Sequence, residues 1–247
     1  MKEWLDDFKM AAGFLTRLPV PHPDGASFAR AYRMFPVVGA LIGLGIGLVC
    51  LLLRKVGVPD LAAAALALGA GALLTGALHE DGLADAADGF GGGRDAEGKL
   101  AIMRDSRIGS YGAIALLVSF AAKLSALAAI PDGYVVASLL ATHALARGVL
   151  PAIAANLPYA RQDGLARGGG QPDGAAALIA IALALPAALL ALPWTISLWA
   201  AAIAGLSGFV VARLAMRQIG GQTGDVLGCA EQVAETAVLV LLAARLG

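Results

Sequence analysis

Long apolar runs separated by short polar turns set the rhythm of this chain. They lie at about 35 to 53, 59 to 78, 109 to 130, 133 to 156, 174 to 193, 195 to 216 and 226 to 246. A bilayer core about 30 Å thick is crossed by about 20 helical residues, so each run is long enough to span it. The pattern predicts an all-α fold, a polytopic integral membrane helix bundle of about seven transmembrane helices. The second and fifth runs are rich in alanine and only marginally hydrophobic. Upstream, residues 7 to 20 carry Phe8, Ala11, Ala12 and Leu15 at helical spacing against Asp6, Asp7 and Lys9. That spacing predicts a short N-terminal amphipathic helix lying at the interface, outside the spans. Gly39, Gly43 and Gly47 recur every four residues on the first span, where missing side chains let another helix come close. The same stripe would serve packing within one chain or a homo-oligomer.

Composition agrees with the pattern. The chain is 59% apolar and 15% charged, with a mean hydropathy of +0.77, whereas soluble domains carry about 25% charged residues. The 247 residues are read as one membrane-embedded domain, 1–247, with the lipid bilayer as its first partner. The formal net charge is zero and no basic block is longer than two residues, so nothing calls for nucleic acid. Cys50 and Cys229 sit far apart in or beside apolar runs, without metal-ligand spacing. Charges mixed through the first ten residues exclude a cleavable signal peptide.

Lys and Arg positions set the orientation. With a cytoplasmic N-terminus, that face receives Lys2, Lys9, Arg17, Arg30, Arg33, Arg94, Lys99, Arg104, Arg107, Arg161, Arg167, Arg213 and Arg217, against Arg54, Lys55 and Arg245 opposite. Lys123 and Arg147 remain inside spans. By the positive-inside rule the chain is a multi-pass protein of the cell (inner) membrane, with the polar segments 79 to 108, 157 to 173 and 217 to 225 on the cytoplasmic side. The turns on the other side are tiny. The working face is therefore expected to be cytoplasmic.

One stretch on that face concentrates acids: HEDGLADAADGFGGG, residues 79 to 93. If the second helix continues through Asp88, then at about 100° per residue Asp81, Asp85 and Asp88 share a stripe roughly 60° wide. They spread over about 10 Å of axis. Three carboxylates so placed repel one another unless a cation sits among them. Oxygen ligands without a nearby cysteine point to Mg²⁺, with Mn²⁺ as the alternative, and not to zinc. Two metals about 4 Å apart would also fit. The competing reading is a solvated polar loop, since acids just outside a membrane cost little. His79 and Glu80 point elsewhere on such a helix.

Glycines 89, 91, 92 and 93 follow, then Arg94, Lys99, Arg104, Asp105 and Arg107. Glycines such as Gly91 and Gly92 let backbone N–H groups close on anionic oxygens, and Arg offers a planar fork for phosphate. Carboxylates, glycines and cations within one short segment suit a pyrophosphate better than glycines alone would. The last cytoplasmic loop, GGQTGDVLGCAEQ, repeats the theme with Asp225 and then Glu231 just inside the seventh span. Glu231 and Glu235 share a helical face and are functional candidates as ionisable residues in a span, although Glu235 has Lys123 or Arg147 as an available partner. His143 and Arg147 share a face and read as packing or an internal ion pair. Arg161, Asp163 and Arg167 in LPYARQDGLARGGGQ read either as positive-inside charges or as part of a lid. Aromatic residues are few, and no stacking platform for a base is visible.

These residues carry a resemblance. HEDGLADAADGFGGG with MRDSRIGSYGA, then YARQDGLA and GGQTGDVLGCAEQ, resemble the cobalamin synthase family, adenosylcobinamide-GDP ribazoletransferases, and TRLPVP and FPVVGALIG near the N-terminus are similar to it too. The resemblance runs in order over nearly the whole chain. It implies a Mg²⁺-dependent transfer of GDP-activated adenosylcobinamide to α-ribazole or its 5′-phosphate with release of GMP, closing the nucleotide loop of vitamin B12. On that basis Asp81, Asp85, Asp88 and Asp225 are expected at the metal, and Asp225 or Glu231 at a second metal position or as the base. Asp88, taken as lying nearest the solvent, is the first candidate for the base. Lys99, Arg104 and Arg107, with Gly91 and Gly92, are expected to hold phosphates; Glu80, Asp105, Arg161 and Arg167 are secondary candidates. In that family the position of Glu80 is often apolar, which favours the three aspartates over it.

Two rivals have sequence-level tests. A CDP-alcohol phosphotransferase signature also begins Asp-Gly, but Asp85 follows Ala84 where that pattern places Arg, and the later pair of Asp spaced by four is absent. A cation-coupled transporter needs ionisable residues lining a path through the midplane. Here only Lys123, His143, Arg147, Glu231 and Glu235 lie there, while the richest polar segments gather on one face.

Overall fold

The computed structural model describes residues 1–21, 23, 25–161 and 169–247. Among these residues the regular structure is helical, apart from one parallel bridge between Tyr159 and Gln222. An N-terminal helix α1 (Lys2–Leu15) leads, through the short turns Phe28–Ala31 and Tyr32–Met34, into α2 (Phe35–Lys55). Then follow α3 (Asp60–Thr75), α4 (Leu78–Gly92), α5 (Ala96–Ile102), α6 (Ser110–Ala129), α7 (Asp132–Gly148) continued by α8 (Leu150–Asn156), α9 (Gly174–Ala191), α10 (Trp194–Ile219) and α11 (Gly224–Leu246). Among the described residues six helical stretches are long and apolar enough to cross a membrane, and the bent pair α3–α4 makes a seventh if it counts as one crossing. The chain is thus an all-α polytopic bundle.

The second predicted span is not a single rod. It ends at Thr75, and α4 leaves at 90°. Gly76 and Ala77 both adopt left-handed backbone, with φ of 68° and 54°, and their N–H groups return to the carbonyls of Leu73 and Ala72. Such a cap ends a helix and redirects the chain; an alanine pays steric strain there that glycine does not. The acid stripe consequently lies on a helix of its own, α4, and is not the continuation of a transmembrane rod.

The N-terminal helix also differs from expectation. It covers 2–15 rather than 7–20, because Thr16 turns extended and the Leu18-Pro19 step disfavours helix at Leu18. Asp7, assigned to the polar face, is fully buried. It pairs with Arg33 at 2.6 Å and Arg30 at 3.0 Å, and Arg33 lies 3.9 Å over the Trp4 ring. This charge cluster docks α1 onto the entrance of α2.

The glycine stripe packs within the chain. A Cβ on Gly39 or Gly43 would run into the carbonyls of His143 or Leu139, and one on Gly47 would stand 2.8 Å from Val136 Cα. α2 and α7 therefore lie backbone to backbone, the arrangement by which membrane helices gain dispersion contacts where lipid supplies no hydrophobic driving force. At the far end Arg54 donates to the carbonyls of Leu127 and Ile130, each at 2.7 Å, and pins α2 to the α6–α7 turn. Helix α11 is the hub of the bundle, packed against α4, α6, α7 and α10.

Candidate active site

The two acid-bearing motifs, far apart in sequence, meet where α4 crosses α11. A Cβ on Gly82 would stand 3.0 Å from both Gly228 Cα and the Asp225 carbonyl, so only glycine permits this approach. The crossing brings Asp81 and Asp85 of α4 toward Asp225 at the start of α11. Asp85 lies within electrostatic reach of Asp81, Asp88, Asp225 and Arg161. Neither the Asp81 nor the Asp85 carboxylate makes a hydrogen bond among the described residues, and the helix that their spacing called for is present as α4.

A cleft of about 320 Å³ opens beside this crossing, with Asp81, Asp225 and Arg161 on its wall. Its floor is the loop pair 157–161 and 220–225. Gly220 ends α10 with φ 73°, Gln222 N donates to Pro158 O at 2.8 Å, and Ala160 N donates to Gln222 O at 2.9 Å. Thr223 caps α11 by accepting from Val226 N at 3.2 Å and donates to Asp225 Oδ2 at 3.2 Å. Most of GGQTGD is thus scaffold for one carboxylate. Arg161 reaches Asp225 Oδ2 with one terminal nitrogen at 3.4 Å, while its other terminal nitrogen, Nη1, is buried and donates to nothing among the described residues.

Asp88 has a different station. Its two oxygens accept from Gly109 N at 2.7 Å and Gly112 N at 2.9 Å, so the carboxylate caps the N-terminus of α6 and sits favourably on its dipole. A Cβ on Gly112 or Gly109 would collide with that carboxylate. Asp88 is buried, 8% exposed, which corrects the expectation that it faces solvent. Each oxygen of the carboxylate is thus engaged by one backbone N–H donor.

Glu231 points into the bundle, on the helical face it shares with Glu235. It is fully buried in a network that joins the four helices α4, α6, α7 and α11. Arg147 Nη1 approaches Glu231 Oε1 at 2.5 Å, Gln232 Nε2 donates to Glu231 Oε2 at 3.0 Å, and Lys123 Nζ binds Gln232 Oε1 at 2.7 Å and Glu235 Oε1 at 3.0 Å. His143 Nδ1 lies 3.2 Å from Glu235, and His79 Nδ1 lies 3.5 Å from Glu231. His143, Glu231 and Glu235 bring ligand atoms within 4.8 Å of one another. Arg147 and Lys123 already supply the positive charge there, so the internal ion pairing foreseen for His143, Arg147 and Glu235 is what the network shows. Glu80 faces a separate cavity of about 310 Å³ with Lys123 and Glu235.

The expected phosphate-binding cations are dispersed. Lys99 Nζ donates to Gln218 Oε1. Arg107 is exposed and forks onto Asp105 at 2.6 and 3.0 Å, which pushes the Asp105 carboxyl down to about 2. Arg104 is exposed on the same loop. Gly91 lies under the Tyr111 ring, where a Cβ would come within 2.6 Å, and a Cβ on Gly92 would stand 3.3 Å from Ile102. Arg167 and Asp163 lie outside the described residues. None of Lys99, Arg104 and Arg107 lines the cleft; Arg161 does.

Aromatic residues prove to be gathered at the site after all. Phe14, Tyr32, Phe35 and Tyr159 line the same cleft. Their spacing in sequence carries no signal of this, and neither does that of Gln222, which is also among the lining residues. Thr223 was legible as a cap, since a Thr directly before an apolar periodic run is an N-terminal signature.

Comparison with known proteins bears on this geometry. The family model for cobalamin-5-phosphate synthase matches residues 7–243. A protein of Bradyrhizobium diazoefficiens named adenosylcobinamide-GDP ribazoletransferase is 49% identical over 243 residues, 96% of this chain and 93% of its own length. Proteins of the same name are 43% identical in Sinorhizobium medicae, over 98% of both chains, and 45% identical in Rhizobium etli, over 100% of this chain and 99% of the relative. No solved structure matches the chain at a significant level. With a family model over nearly its full length and relatives this similar end to end, the chain belongs to the cobalamin-5-phosphate synthase family.

Proposed function

We propose that this chain joins GDP-activated adenosylcobinamide to α-ribazole, or to its 5′-phosphate, with release of GMP, on the cytoplasmic face of the cell membrane. The observation that carries the reading is a single cleft holding Asp81, Asp225 and a guanidinium whose buried Nη1 has no partner among the described residues. It takes its substrates from the printed name of the relatives.

The donor set fits a hard cation. Asp81, Asp85 and Asp225 offer oxygen only, and Asp81 and Asp85 have lone pairs free of internal hydrogen bonds. They are looser than a closed cage, which suits Mg²⁺, an ion that keeps several waters and is held by one or two carboxylates plus substrate phosphates. Mn²⁺ would suit the same donors. Bound there, the ion supplies charge compensation to the pyrophosphate and to the departing phosphate.

The chain's own residues do the rest. Arg161 Nη1 donates to a phosphate oxygen while its partner nitrogen stays on Asp225, which holds the guanidinium plane in place. The ribose hydroxyl oxygen forms a bond to the phosphorus on the cobinamide arm. The bond from that phosphorus to the bridging oxygen breaks, and its electron pair leaves with GMP. We assign the hydroxyl proton to Asp85, a half-buried carboxylate without a side-chain hydrogen-bond partner among the described residues. Asp88 acts at one remove, by fixing α4 to the start of α6.

The test is GMP release by the protein in liposomes, given both substrates with and without Mg²⁺, beside Asp81→Asn. Release that needs both substrates, metal and Asp81 supports the reading. Retention of substrate without GMP release, or accumulation of a substrate inside the vesicles, would overturn it.

A further inference from the structure

The cleft holds more than phosphate chemistry requires. Four of its lining residues are aromatic, in a chain where aromatic residues make up only 6%. Three of them form an ordered wall: Tyr32 stacks on Phe35 at 4.5 Å and 25°, and Phe14 lies parallel to Phe35 at 5.9 Å and 17°. Phe28 braces the wall edge-on behind Phe14, at 4.7 Å and 74°. Tyr32 and Phe35 are themselves buried, 3% and 2% exposed, and cover each other, so the lining rings with surface left for a planar ligand are the half-buried Phe14 and Tyr159. At about 320 Å³ the cleft falls within the range of about 300–1,000 Å³ typical of small-molecule sites.

Gln222 supplies a polar feature on the same lining. It is 1% exposed, and its Nε2 donates to Ala154 O at 3.0 Å and Leu157 O at 3.4 Å. Those two carbonyls settle which way round the amide lies, because only the nitrogen can donate to them. Its Oε1 is buried and accepts from nothing among the described residues. A buried carbonyl oxygen left without a donor is uncommon and calls for a reason.

We infer that this part of the cleft is a base-binding subsite that reads guanine: the aromatic wall takes the purine face, and Gln222 Oε1 accepts from the N–H donors of its Watson–Crick edge. The inference rests on the function proposed above and adds the residues that choose the nucleotide. Guanine places its N1–H and 2-amino donors side by side, which one acceptor oxygen can use. Adenine presents a bare ring nitrogen at the same position, where two lone pairs would oppose each other. A dimethylbenzimidazole has no donor on its carbocyclic edge. The three unsatisfied features then have one explanation: Arg161 Nη1 finds a phosphate, Gln222 Oε1 finds the base edge, and the rings find its face. Sites built around a buried hydrogen-bonding group discriminate strongly against a ligand that leaves that group unpaired.

The experiment compares nucleotides at two levels on protein in nanodiscs. Binding of GMP and AMP is measured directly, and kcat/KM is measured with GDP-activated and ADP-activated cobinamide. Wild type is expected to prefer guanine by at least about tenfold in both. Gln222→Leu should bring both ratios close to one. Gln222→Glu keeps an acceptor oxygen but loses the Nε2 brace, and should keep the preference. Phe14→Leu should weaken GMP and AMP alike without changing their ratio. A purely structural role for Gln222 predicts instead that Gln222→Leu lowers both nucleotides equally with the ratio intact, and that result overturns the inference. Equal wild-type binding of GMP and AMP overturns it too. Because binding is read without turnover, a wild type that prefers GMP but releases none would leave the subsite standing and sink only the proposed reaction.

Discussion

Gly82 and Gly228 touch backbone to backbone: a side-chain carbon on either would stand 3.0 Å from the other's Cα. That single contact sets the distance between the carboxylates of α4 and Asp225 of α11, and so decides whether the cleft exists. Gly228→Val is expected to cost about 1–3 kcal/mol of stability, the usual price of overpacking a close contact, and to lower kcat more than it raises KM for either substrate. Thermal unfolding and steady-state GMP release, run on the same preparation, check this. Unchanged kinetics would show that the crossing does not govern the site.

Asp81 and Asp88 share a stripe but should fail differently. Asp88→Ala removes the cap of α6 and is expected to destabilise the protein by about 0.5–2 kcal/mol. Asp81→Asn should leave the unfolding temperature within a degree or two, since the Asp81 carboxylate has no hydrogen-bond partner among the described residues, while lowering kcat by about a hundredfold or more. Equal unfolding temperatures for both variants would contradict the division of roles.

The Glu231–Arg147 pair is structural on this geometry. Glu231→Gln leaves a buried guanidinium short of its counter-charge and should cost about 3–5 kcal/mol. Adding Arg147→Met removes the stranded charge and should recover much of that loss. The double-mutant cycle reads the coupling directly; additive losses would mean that the pair is not the unit.

Metal removal should silence turnover with little effect on folding, because the proposed donors are a few carboxylates on helices already packed by glycine contacts. Chelation followed by titration with Mg²⁺, Mn²⁺ and Zn²⁺ tests this. The oxygen-only donor set predicts recovery with the first two and poor recovery with zinc. An unfolding temperature that collapses on chelation would point to a structural ion instead.

The Asp105–Arg107 fork sets no pH limit near neutrality. Its folded carboxyl is held at about 2, below the unfolded value of about 3.9. Whatever stability the pair contributes is present above about pH 4 and is lost only as pH falls toward 2. Asp105→Asn should therefore give a pH–activity profile that superimposes on wild type in shape between pH 5 and 9. A displaced limb in that range would show that Asp105 serves the site after all.

The apolar runs by themselves determined the class, the number of crossings to within the treatment of one bent pair, and the glycine stripe as a packing seam. Each depends on composition and period over about 20 residues, and the bilayer imposes that length on any chain that crosses it. The periodicity of Asp81, Asp85 and Asp88 was equally legible, because a helix places such residues on one stripe whatever surrounds it. What the tertiary structure alone decided is which groups each stripe meets. Two left-handed residues, Gly76 and Ala77, turned the acid helix by 90°, and pattern over a window does not register a two-residue backbone change. Asp88 was drawn off to cap a helix that begins twenty residues later, and Glu231 was drawn into a buried network. Arg161, Gln222 and four scattered aromatic side chains came to the cleft from separate segments. Contacts of that kind depend on helix crossings, which local sequence does not encode.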